Sequence, residues 1–168
     1  MPREAILVLP YDPQWPLIFA REQERLERLL APWLAGGVHH IGSTSIPGIA
    51  AKPYIDMLAG VRDLEEARAA FEPLAADGYA HAPHRPDVAH HFEKGIFGLH
   101  LTQRGGTLWR ERLGFRDALR AEPELAAEYE ALKLRLAREA PDRRAYTDGK
   151  RAFVRRVLVE HGVDFSWD

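Results

Sequence analysis

The stretch Val38–Gly60, VHHIGSTSIPGIAAKPYIDMLAG, constrains this chain more than any other part of it. A short run rich in β-branched residues, Val38 to Ile41, stops at Gly42-Ser43, and a loop of small residues follows. A second apolar run then carries a single carboxylate, Asp56. The order predicts a strand, a Gly-Ser turn, a short connection and a second strand. Gly42 lets backbone approach phosphate oxygens with no Cβ in the way. Turn N–H groups, with the hydroxyls of Ser43, Thr44 and Ser45, can bind those oxygens. Asp56 offers an oxygen ligand to a hard cation such as Mg²⁺. From spacing alone the segment equally fits a strand–turn–strand unit with a helix-capping Ser and a solvated Asp. It is not a P-loop, because no Gly-Lys-Ser/Thr follows, and Gly-x-Ser-x-Gly is absent, so it is not a nucleophile elbow. Pro47 and Pro53 bias the residues before them toward extended backbone and so shape the loop.

Elements on either side complete the plan. After an extended stretch, Ile6–Leu9, the run Tyr11–Pro16 introduces a helix over about 16–34, with Phe19, Leu26, Leu29, Leu30 and Trp33 at helical spacing. Gly36-Gly37 is read as its stop. Asp63 and Glu66 form a capping box for a second helix, whose buried stripe is Leu64, Ala67, Phe71 and Leu74 and whose end is Gly78. Tyr79–His81, Val88–Glu93 and Ile96–Thr102 read as short strands, with Lys94-Gly95 as a hairpin turn between the last two. From Leu108 onward only helices are expected: Leu108–Ala121, Pro123–Ala140, and Asp148–His161 capped by Thr147. Strands mixed with helices first, and helices alone afterwards, make an α+β chain. The aromatic residues Trp15, Phe19, Trp33, Phe71, Phe115, Tyr129 and Phe153 are read as core. Tyr146 is read either as packing beside a helix start or as a stacking platform for a nucleobase.

At 168 residues there is room for one domain with a proper core, sheet-bearing over about 1–106 and helical over about 107–168. A net charge of −2 gives no basic excess of the kind that advertises a polynucleotide or an anionic membrane, yet leaves a small phosphorylated substrate open. No cysteine is present, which excludes disulfides, thiolate metal sites and a Cys nucleophile. The apolar run near the N-terminus is too short for a signal peptide, and no run approaches the ~20 residues of a membrane span, so a cytoplasmic setting is expected.

The full string from His40 to Asp56 closely resembles the signature of the GrpB family of bacterial proteins, a branch of the nucleotidyltransferase superfamily that includes DNA polymerase β. The likeness continues through Tyr11-Asp-Pro-x-Trp15, Phe92-x-Lys94-Gly95, Leu99-His100-Leu101, Trp109, Phe115–Arg120, Tyr129–Lys133 and Tyr146-Thr-Asp-Gly-Lys150-x-x-Phe153. This resemblance implies a nucleotidyltransferase-like mixed β-sheet with flanking helices and a C-terminal helical subdomain. It also implies a nucleoside triphosphate with Mg²⁺ as ligand or substrate and, because some members are fused to dephospho-CoA kinase, a partner enzyme of CoA metabolism.

Two departures bear on chemistry. The superfamily's Asp-x-Asp/Glu pair puts a second acid two residues beyond the first, on the same sheet face, where this chain has Leu58. A third acid sits on a later strand, where the family often shows His-x-His and this chain reads Gly98-Leu99-His100. Two-metal catalysis needs several carboxylates, so either one metal suffices, or Glu93 and His100 complete an atypical site, or the fold binds without transferring. The other histidines, His39, His40, His81, His84, His90 and His91, match no zinc spacing and read as scattered. His100 is the exception, as a neutral imidazole able to act as general base.

Among the cations, Lys52 lies in the connection bordering the turn. Arg116 reads as either a ligand contact or a salt bridge. In the wider superfamily helical subdomains supply cations to the triphosphate, which the resemblance carries to Lys133 and Lys150. Two functions follow. One is an enzyme in which Asp56 binds metal, Gly42–Ser45, Lys52, Arg116, Lys133 and Lys150 hold phosphates, and a small acceptor attacks the α-phosphorus with His100 as base. The other is a non-catalytic module that binds a nucleotide or CoA-like ligand in the same cleft.

Overall fold

A computed structural model describes residues 6–165. The first five residues and the last three of the chain lie outside that range. Helix α1 spans Trp15–Leu29, and its apolar stripe presses Trp15, Leu26 and the following Leu30 into the core. It ends five residues earlier than the sequence suggests. Pro32 cannot continue a helix, and Leu34 already pairs with Val61 in strand β1, Leu34–Ile41. Gly36-Gly37 therefore lies inside the strand. The pairing register slips between Leu34 and Val38, and Gly37 takes a φ of +73°, the mark of a bulge. A side chain at Gly36 or Gly60 would collide with Trp109, since built Cβ atoms come within 2.7 and 2.5 Å of its ring.

Strand β2, Ile55–Val61, is the second strand expected from the sequence. Asp63 does cap the turn after it, accepting the Glu66 N–H at 2.8 Å, but Glu66 pairs with Arg62 instead of closing a box. A 3₁₀ segment, Glu66–Ala70, leads into the short helix α2, Phe71–Ala76, which ends at Gly78 with φ +98°. Strands β3 (Ala80–His81), β4 (His90–Lys94) and β5 (Phe97–Gln103) follow, with Gly95 in the predicted hairpin turn at φ +57°. The sheet runs β1-β2-β5-β4-β3. Only β2 and β5 are parallel neighbours, so the sheet is mixed.

Side-chain alternation divides its two faces. Ile55, Met57, Ala59 and Val61 of β2, with Leu99 and Leu101 of β5, face α1 and α2 across the main core. Asp56, Leu58 and Gly60 face the other way, as do Gly98 and His100. There helix α3, Thr107–Ala121, lays Leu108, Trp109 and Leu113 over Ile41 and Leu58. Helix α4, Pro123–Glu139, then packs Ala126 and Tyr129 against Ile46, Ile49, Leu119, Phe153 and Val157.

The last predicted helix, Asp148–His161, forms over Arg151–Glu160, and a short helix that the sequence reading did not expect precedes it. Asp142 caps α5, Arg143–Asp148, by accepting the Ala145 N–H at 2.8 Å, and α6 runs Arg151–Glu160. Thr147 sits in the last turn of α5 rather than at a start, because Asp142 already supplies the cap one turn earlier. The aromatic residues read as core are all buried or packed against it. Among the described residues no helix is long and apolar enough to cross a membrane.

Candidate functional site

The turn after β1 is built around Gly42, whose φ of +72° and ψ of −178° suit glycine alone. A Cβ there would also lie 3.1 Å from the Cβ of Asp56. The next three residues make one 3₁₀ turn, and their hydroxyls have different tasks. Ser45 Oγ donates to Gly42 O at 2.5 Å. Thr44 Oγ1 donates to Tyr54 O at 2.9 Å and receives the His40 Nε2 proton at 2.8 Å. Burial, with Arg120 and Arg116 nearby, holds the His40 imidazole near pKa 4 and hence neutral, fitting it to that donor role. Thr44 and Ser45 thus fasten the turn from inside, and both are buried. Ser43 is the half-buried member, and it bonds the Tyr129 hydroxyl.

Asp56 stands at the start of β2 beside this turn. Its Oδ1 accepts from His100 Nε2 at 3.0 Å. Burial works to raise the Asp56 pKa, but His100, then Arg112 and His91, outweigh it and hold the carboxyl below the usual carboxylate range. His91 stacks on His100 with ring centroids 4.5 Å apart, and its Nδ1 is tied to Ala82 O at 3.1 Å. Burial, then His100, lowers the His91 pKa. Leu58 does share the Asp56 face as predicted, but it is fully buried beneath α3. Gly98, where the resembling family often has histidine, lies under Tyr54, whose hydroxyl comes within 2.6 Å of a built Cβ.

A cavity of about 720 Å³ opens from Gly42, Ser43 and Asp56 toward α3, α5 and α6. Lys52, Arg112, Arg116, Arg143 and Lys150 line it and outnumber its carboxylates. The ammonium groups of Lys52 and Lys150 lie 5.2 and 4.7 Å from the centroid of the Tyr146 ring. Tyr146 is buried, so of the two roles read for it packing is the one observed. Burial, then Arg112, brings Lys150 down to about 8 against the pull of Asp56. Burial, then Lys150 and Arg143, lowers Lys52 as well. Arg116 holds Asp117 at 2.8 Å and also donates to His40 O at 3.2 Å.

Lys133 is not brought to the cavity wall. Its side chain is 1% exposed, and Nζ donates to Ala50 O at 2.5 Å. Glu130, one helical turn away, accepts the Ala50 N–H at 2.5 Å, so α4 grips both polar groups of that residue. Burial, then Lys150, moves the Lys133 pKa to about 7. Glu93 lies opposite Gly98 in the register, exposed, and raises the Tyr54 pKa along with burial rather than meeting Asp56. Among the described residues no group of three His, Cys, Asp or Glu side chains converges as a metal site. Arg112, Arg143 and Tyr54 escape the sequence reading. Arg112, Arg116 and Arg120 recur at i, i+4 and i+8 along α3, a cationic stripe that could have been read from spacing.

Comparison with known proteins bears on the family and the fold. The family model described as GrpB protein matches residues 5–160. The protein YqkA of Bacillus subtilis is 36% identical over 92% of this chain, which spans 46% of YqkA. A glutamate-rich protein GrpB of Alkalihalophilus pseudofirmus is 33% identical over 92% of this chain and 95% of its own length. A dephospho-CoA kinase of Mycobacterium bovis is 32% identical over 63% of this chain and 27% of the kinase. Among solved structures, the conserved protein GrpB from Enterococcus faecalis superposes with a TM-score of 0.82 at 32% identity, covering 92% of this chain and 96% of that one. A cytoplasmic RNA terminal U-transferase shares the fold at a TM-score of 0.53 and 15% identity, over 78% of this chain and 41% of its own. The mixed sheet with flanking helices is thus a nucleotidyltransferase-like fold, and the chain belongs to the GrpB family.

Proposed function

We propose that the cavity binds a nucleoside triphosphate and transfers its nucleotidyl group to a small hydroxylated or phosphorylated acceptor, in the cytoplasm where triphosphates are available. One observation carries this reading: an ionised carboxylate, Asp56, opens beside a glycine turn into a cavity lined by more cations than carboxylates. Backbone of Gly42 and the Ser43 hydroxyl border the phosphate path, and Lys52, Arg112 and Lys150 compensate its charge. Mg²⁺ fits as part of the substrate rather than as a resident ion, since of the cavity's carboxylates Asp56 is the one beside the glycine turn, and phosphate oxygens and water complete such sites; its contribution would be charge neutralisation at the transferring group. The acceptor oxygen forms a bond to the α-phosphorus, the bond from that phosphorus to the β-bridging oxygen breaks, and pyrophosphate leaves. His100 donates its Nε2–H to Asp56 and lies behind that carboxylate rather than on the cavity wall, so its part is to hold Asp56 ionised and oriented, and the acceptor proton passes to water in the cavity.

Calorimetric titration with ATP, GTP, CTP and UTP, with and without Mg²⁺, tests binding, and label transfer from an α-labelled triphosphate tests the reaction. Asp56→Asn is expected to keep the melting temperature and to lose Mg²⁺-dependent binding. Metal-dependent binding at wild-type strength in that variant would remove the basis for the site.

A second reading has its own support. The position at which the superfamily has its second acid is Leu58, covered by α3, so a single carboxylate faces the cavity from β2. That arrangement suits a module that binds a nucleotide or CoA-like ligand without transferring anything, and the likeness to part of a dephospho-CoA kinase favours a partner in CoA metabolism. Tight binding with no label transfer across an acceptor panel would establish it.

A further inference from the structure

The cations that line the cavity outnumber its three carboxylates, Asp56, Glu111 and Asp148, and Asp148 pairs with Arg144 and Arg151. Lys52, from the loop before β2, and Lys150, between α5 and α6, share the Tyr146 ring, while Arg112 of α3 and Arg143 of α5 line the same space. Behind them Lys133 of α4 is buried with Glu130 at its side, and Asp56 of β2 is the carboxylate whose field reaches both Lys52 and Lys150. Like charges packed into partly desolvated space disfavour one another's ionised form. A multiply charged anion placed among them reverses that sign.

We propose that the cavity takes up a polyanion together with a proton: a phosphate chain lying against Lys52 and Lys150 completes the protonation of the amines gathered there. This deepens the nucleotide reading and rests on its claim that the cavity holds a phosphorylated ligand. The electrostatics agree. Burial, then Arg112, keeps Lys150 near 8, burial, then Lys150, keeps Lys133 near 7, and burial, then Lys150, lowers Lys52. Anion binding raises all three, so the complex holds more protons than the empty protein, and affinity must fall as pH rises through this range.

The test uses ATP in EDTA, whose phosphates keep a constant charge above about pH 7.5. Calorimetry at pH 8 in two buffers of different ionisation heat should show an uptake on the order of half a proton or more, and affinity should drop roughly 20-fold between about pH 7.5 and 9.5. Lys150→Met, once shown to melt like wild type, should lose most of the uptake and flatten the pH dependence. ATP binding with no buffer dependence in the wild type would overturn this inference and leave the nucleotide reading standing. Trimetaphosphate, a cyclic anion of fixed charge, separates the reverse case: proton-coupled binding of trimetaphosphate with none of ATP would uphold the inference and sink the nucleotide reading. Failure of both anions to bind would overturn both.

Discussion

Gly42 and Lys133 illustrate how much a single position can decide. At Gly42 two costs coincide, a left-handed φ and a built Cβ 3.1 Å from Asp56. Gly42→Val is therefore expected to lower unfolding free energy by about 1–3 kcal/mol in denaturant titrations and to abolish nucleotide binding, where Ser43→Ala should reduce binding only modestly. Wild-type affinity in the valine variant would show that no ligand approaches that turn.

Lys133 has a different signature. Its folded pKa, about 7, lies below that of a free lysine, so between roughly pH 7 and 10.5 the unfolded chain binds more protons than the folded one. Stability contributed by this site must accordingly rise with pH across that window, by as much as a few kcal/mol. Lys133→Met should flatten the rise in a pH series of thermal or urea melts; an unchanged slope would mean that the amine is charged when buried. The sequence placed Lys133 in a family-matching block but could not distinguish a ligand contact from a clamp on Ala50, because that depends on a loop more than eighty residues away in the chain.

Secondary elements were read well where local chemistry alone decides and poorly where a distant partner does. Lys94-Gly95 makes a hairpin in either case, since the turn needs a positive φ and nothing else. Gly36-Gly37, read as a helix stop, lies in a bulge of β1, where Gly37 takes a positive φ and Gly36 leaves bare backbone beneath the ring of Trp109, far along the chain on α3. Asp142 escaped notice as a cap, which hid α5 and with it Arg143 and the surroundings of Tyr146. Leu58 shows the same divide. Alternation in β2 puts it on the Asp56 face, yet only the docking of α3 reveals that this part of the face is closed. Leu58→Glu is thus expected to destabilise the fold by several kcal/mol, measured by denaturant titration, with no gain in divalent-cation affinity. A variant that melts like wild type and binds Mg²⁺ more tightly would show the position to be open.

For the whole molecule, a net charge of −2 conceals a cavity of opposite sign. Ligand binding there should weaken as salt rises from about 50 to 500 mM, while intrinsic stability moves little, since many of the surface ion pairs are exposed and worth about 0–1 kcal/mol each. Thermal melts with and without ATP across that salt range would separate the two effects, and a stabilisation by ATP that ignores salt would contradict a charge-lined site. The connection between sheet and helices has a mechanical consequence of its own. Arg116, Arg120, Glu130 and Lys133 reach from two helices to the backbone of His40, Ser45 and Ala50, so the walls of the cleft are sewn to each other close to its floor. Swinging the helices away as one jaw would break four hydrogen bonds, three of them charge-assisted and worth about 1.5–3 kcal/mol each. A ligand of the proposed site would then enter and leave past α5 and α6, with the rest of the cleft held as a cup.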